Sequence, residues 1–97
     1  MPPKGREAAR IKIMETEAVV AGRHWAGTWK RDIVSEGRAV AGGWPGTITQ
    51  ARAKVYAHIH PILRDKGMRL PSTSENEETA RALYRCAREF WLNGDAA

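Results

Sequence analysis

Seven apolar residues, Ile11, Met14, Ala18, Ala21, Trp25, Trp29 and Ile33, follow one another at intervals of three or four. Only a helix with 3.6 residues per turn brings residues at that spacing onto one face, and the face must then be buried against something else. The stripe therefore points to a helical packing domain and away from a sheet. Gly22 and Gly27 interrupt it, each costing roughly 1 kcal/mol relative to Ala in a helix interior. The spacing predicts either two helices, over 6–21 and 24–36, or one long helix bending near Gly22, with Gly37 as its stop.

The chain then passes through a loop, 37–46, reading GRAVAGGWPG. Thr47 and Gln50 stand three apart and form a T-x-x-Q capping box at the start of another helix. That helix carries Ile48, Ala51, Val55, Ile59 and Ile62 on its buried side, with Tyr56 and Leu63 flanking. Pro61 removes one backbone donor, so a kink or break is expected near His60. Gly67 supplies the stop, with Met68 placed to fold back on Leu63. A last helix starts at a second capping box, Ser74 with Glu77, with Glu75, Glu77 and Glu78 at the positive end of its dipole. It buries Ala80, Leu83, Ala87, Phe90 and Trp91 and closes at Gly94.

These elements give a mainly α fold, a small single-domain bundle of about four helices. Residues 1–5 read as a basic flexible tail, 6–94 as the domain, and 95–97 as a second tail. The alternative is α+β, with a hairpin over 29–42 turning at Glu36-Gly37 and followed by two helices. In that form the stretch GTWKRDIVSEGRAVAGGW with the Thr47 helix resembles the sheet-plus-helix DNA-binding domain of the AP2 type, over about 30 residues. Its glycine, aromatic and alanine spacings depart from that pattern. A strand would also put Arg31 between Trp29 and Ile33 on one face, so helix is the reading carried forward.

Ninety-seven residues suffice for one modest core and not for two. A single cysteine, Cys86, leaves no disulfide framework, so stability must come from packing. No run of 18 apolar residues is present, and MPPKGREAARIK lacks the apolar stretch of a secretory signal. The expected compartment is the cytoplasm, with no membrane partner.

The formal charge is +5, and it is unevenly spread: residues 1–66 hold 12 basic and 6 acidic side chains, while 67–97 hold 4 and 5. Such an excess favours polyanionic partners. Arg23, Lys30 and Arg31 surround Trp25 and Trp29, and Arg52 and Lys54 follow the GGWPGT loop. These five are the candidate nucleic-acid contacts, DNA favoured. Arg81, Arg85 and Arg88 recur on one face of the last helix, and with Trp29 and Trp44 they are the candidate partner-binding residues. The competing use of those groups is a protein–protein adaptor or small inhibitor, a homodimer being one form of it, facing an acidic partner with Trp29 and Trp44 as anchors.

Other chemistry finds little support. AGGWPGT lacks the Gly-Lys-Ser/Thr ending of a phosphate-binding loop, so Trp44 reads as a plug folded onto the core. His58 and His60 diverge on a helix, leaving no metal set and implying one histidine at the core edge and one in water. No nucleophile, base and oxyanion site assemble, so no catalytic residue, cofactor or enzymatic activity is expected.

Overall fold

The computed structural model describes residues 5–37 and 43–94. Three helices account for nearly all of them, and no strand occurs among the described residues. α1 spans Gly5–Ser35. α2 runs unbroken over 48–65, as an α segment Ile48–Lys54, a π turn Val55–Ile59 and an α segment His60–Asp65. α3 spans Thr73–Asn93. The all-α class holds, with three helices rather than four. The tails at 1–4 and 95–97 and the loop section 38–42 lie outside the described residues, and Gly5 belongs to α1 rather than to a tail.

α1 is the single long helix of the two forms the spacing allowed, and the reason lies in what Gly22 touches. A Cβ at Gly22 would stand 2.6 Å from the Leu83 carbonyl oxygen and 3.0 Å from both Ala87 N and Cys86 Cβ. The glycine lets the backbones of α1 and α3 close on one another, and that packing outweighs its low helix propensity. Trp29 to Ser35 are helical as part of the same element, which removes the hairpin alternative over those residues.

α2 opens at Thr47 as the sequence indicates, Thr47 Oγ1 accepting from Gln50 N at 3.2 Å and Gln50 Oε1 accepting from Thr47 N at 2.8 Å. It ends as expected too. Met68 N donates to Leu63 O and Gly67 N to Arg64 O, both at 2.9 Å, with Gly67 at φ +64°. Between these ends, Pro61 does not break the helix. The turn just before it widens instead, so that His60 N donates back to Val55 O. The wide turn changes which side chains face inward. Ala51, Val55, Ile59 and Leu63 are buried at a constant interval of four, whereas Ile62 is only half-buried. In a regular α-helix each four-residue step overshoots by ~40°, and the π turn takes up that drift.

α3 starts one half-turn earlier than expected. Ser72, not Ser74, is the cap, with Ser72 Oγ accepting from Glu75 N at 3.3 Å and Glu75 Oε1 accepting from Ser72 N at 3.2 Å. Both serines satisfy S-x-x-E, so local sequence is degenerate here. Tertiary pairing separates them: Glu75 is the residue that meets Arg10 and Arg69, and Glu77 turns to Arg52 instead.

α1 and α3 run parallel, with α2 antiparallel to α1. Arg10 meets Glu75 near the two N-termini, and Lys30 lies over Trp91 near the far ends. Glu17 meets His58, and Arg6 donates to the Gly67 and Lys66 carbonyls at the end of α2. The core at their junction is Met14, Ala18, Ala21, Trp25 and Ala26 from α1, the α2 stripe, and Ala80, Leu83, Ala87 and Trp91 from α3.

Candidate functional site

Four indoles close one end of the bundle. Trp44 stands edge-on to Trp25, Trp29 and Trp91, with ring centroids at 4.7, 5.6 and 5.5 Å, while Trp25 and Trp29 stack at 6.3 Å. Pro45 holds Trp44 extended, and Gly46 makes room for the ring to fold back: a Cβ there would lie 2.7 Å from Trp44 Nε1. The loop is thus a plug. Trp44 Nε1 is buried without a hydrogen-bond partner, which the edge-to-face ring contacts offset in part. Trp29 and Trp44 are both half-buried, the other two indoles fully so.

The five candidate nucleic-acid residues do not converge on one surface. Lys54 Nζ sits over the Trp25 ring at 5.0 Å and Lys30 Nζ over Trp91 at 5.4 Å, so two of the cations cover the indole cluster. Arg52 turns the other way from Lys54 and grips Glu77 with Nε at 2.5 Å and Nη2 at 3.1 Å. That contact holds the Glu77 carboxyl below the usual carboxylate range. Arg23 and Arg31 are exposed on α1. Arg81, Arg85 and Arg88 are exposed on α3, where the spacing of four and three keeps them on one side. Cys86 lies beside Gly22 where α1 and α3 meet, half-buried. Burial dominates there and pushes the thiol up, so Cys86 is a packing residue of low nucleophilicity.

No family model, curated protein or solved structure matches the chain. Its chemistry must be read from its own side chains.

The most highly charged constellation escaped the sequence reading. Arg10, 1% exposed, donates Nε and Nη2 to Glu7 at 3.1 and 2.5 Å and Nη2 to Glu75 at 2.5 Å. Arg69 completes the square, reaching Glu7 at 2.8 Å and Glu75 at 3.0 Å. Both carboxyls are held down to about 2, chiefly by the Arg10 guanidinium. A signal was present in the sequence: Arg10 is four residues before Met14, on the apolar stripe itself. The square pins the start of α1 to the start of α3 and to the chain between α2 and α3.

The two histidines of HIH part as expected. His60 is buried with Nε2 2.9 Å from Asn76 Oδ1 and its ring edge-on to Tyr56, while the exposed His58 meets Glu17 at 2.7 Å. Among the described residues no three His, Cys, Asp or Glu side chains group to hold a metal ion, and no helix is long and apolar enough to cross a membrane.

Proposed function

We propose that this chain is a non-enzymatic, cytoplasmic binding module for nucleic acid, duplex DNA first, engaged through arginines on the outside of α1 and α3. The supporting observation is how the charges divide. Glu7, Glu17, Glu75 and Glu77 are spent on internal partners. Arg23, Arg31, Arg81, Arg85 and Arg88 stand exposed and make no ion pair among the described residues. They share the surface with the exposed Glu15, Asp32, Asp65, Glu78 and Glu89, and in a chain of net charge +5 their planar forks suit phosphate oxygens. Lys30, Lys54 and Arg52 contribute at longer range, from their seats on Trp91, Trp25 and Glu77.

Fluorescence anisotropy with a labelled duplex tests this. Binding at low salt should weaken linearly in log–log form as salt rises, with a slope of about −0.9 per phosphate neutralised. Substituting Arg81, Arg85 and Arg88 together by Gln should reduce that slope by about 2–3. Absence of binding to duplex and single-stranded probes at low salt removes the proposal. The half-exposed Val20, Tyr56 and Leu92 favour a protein partner as the second reading. An acidic partner held mainly by apolar contact would show little salt dependence.

A further inference from the structure

A groove of about 400 Å³ runs between α1 and α2, away from the α3 arginines. Its apolar lining is Val20, Ala21 and Trp25 from α1 and Ala57 from α2. Its polar lining is three nitrogen-bearing side chains, Lys54, His24 and His58, with no carboxylate among the lining residues. Glu17, one turn before Val20 and Ala21 on α1, holds the His58 imidazole in place at 2.7 Å, which leaves Lys54 and His24 as the unpaired donors of the lining. Val20 is 48% exposed, a large fraction for a branched apolar side chain facing a cavity. The α2 wall is formed at the π turn, which carries Ala57 and His58 and follows directly on Lys54. Such wide turns recur at functional sites, because they re-aim side chains that a regular helix would turn away.

The size and charge of the groove select an occupant. From Val20 to His24, or from Lys54 to His58, is one helical turn, about 6 Å. A docking helix needs anchors at i, i+4 and i+7, about 10 Å, which this groove does not offer. Its volume falls instead at the small end of the ~300–1,000 Å³ typical of small-molecule sites. One apolar body with one anionic group matches an apolar lining beside Lys54 and His24.

We propose that the α1–α2 groove binds a small amphiphilic carboxylate, with an aromatic or branched body on Val20, Ala21 and Ala57 and its carboxylate on Lys54 and His24. Lys54 leaves the Trp25 face or bridges from it to the carboxylate, so the ligand is sensed at the indole cluster. The inference does not rest on nucleic-acid binding, although Lys54 serves in both.

The test is a titration of the full chain with 3-phenylpropionate, followed by amide, imidazole and indole NMR resonances. Saturable shifts should appear at Val20, His24, Trp25, Lys54 and His58 below ~10 mM, an affinity reachable by a ligand of this size. The neutral 3-phenylpropionamide should bind about tenfold more weakly, as should 3-phenylpropionate to Lys54→Met. Val20→Glu, a change at a half-exposed site, should abolish the shifts while leaving the helical circular dichroism intact. Equal affinity for the acid and the amide overturns the proposal. So does an absence of saturable shifts at ~10 mM, or shifts that persist in Val20→Glu and centre on Arg81, Arg85 and Arg88. The protein with Arg81, Arg85 and Arg88 all changed to Gln keeps the two proposals separable, since its groove shifts should persist while its nucleic-acid affinity falls.

Discussion

The guanidinium of Arg10 lies 2.5 Å from the carboxylate of Glu75, joining two helix starts that are 65 residues apart in the chain. Because Glu7 and Glu75 are both held down to about 2 in the folded protein, the unfolded chain binds more protons than the folded one below its ordinary carboxylate range. Stability from these groups is complete above pH ~4.5 and is lost as pH falls towards ~2. Melting temperature should therefore drop steeply over that interval, and Glu75→Gln should shallow the drop. Equal slopes for the two proteins would remove the square as the acid-sensitive element.

Truncating Arg10 itself is expected to be milder than the usual breaking of a buried pair. Glu7 and Glu75 keep Arg69 and partial contact with water, so Arg10→Met should cost about 1–3 kcal/mol by urea unfolding rather than the ~3–5 of a stranded buried charge.

Two glycines of α1 should respond in opposite directions to the same substitution. Gly22→Ala forces backbone atoms of α3 apart, at an expected loss of about 1–3 kcal/mol. At Gly27 the added methyl meets only Phe90 Cε1, at an ordinary 3.6 Å. Gly27→Ala should therefore gain about 0.4–1 kcal/mol from the stiffer unfolded chain and better helix propensity. Paired denaturant melts decide it, and a neutral Gly22→Ala contradicts the close approach.

The indole cluster makes Trp44 a stability residue. Trp44→Ala should cost about 2–4 kcal/mol and remove most of the near-ultraviolet circular dichroism that coupled indoles produce. Gly46→Ala should reproduce much of that loss by displacing the ring. If Trp44→Ala kept its full melting temperature, the plug would have to be given up in favour of an exposed anchor.

The two serines at the start of α3 separate the capping assignments. Ser72→Ala should cost about 1 kcal/mol, and Ser74→Ala should stay within about 0.5 kcal/mol of the parent. The reverse order would restore the later start.

Much of the fold could be read from one dimension because its signals are local. Thr47 with Gln50, Gly67 with Met68, and the Leu83–Ala87–Trp91 face each lie within a few residues of the contact they make. What escaped was set by distant partners. Gly22 leaves a break and a continuous helix equally open until Leu83 is beside it, and Ser72 and Ser74 are equivalent until Arg10 selects Glu75. The candidate cations fared the same way. Arg52 and Lys54 look like neighbours in sequence, yet α2 points them to Glu77 and to Trp25.

The π turn of α2 has a consequence for how this sequence tolerates length change. With Ala57 removed, Val55, Ile59 and Leu63 would fall at the three-then-four interval of an ordinary α-helix, and the same core would close. The helix thus holds one supernumerary residue, absorbed as a bulge just ahead of Pro61, and its surplus chain forms a wall of the α1–α2 groove. A deletion there, with Pro61→Ala to restore the missing donor, should leave a folded protein whose groove is gone.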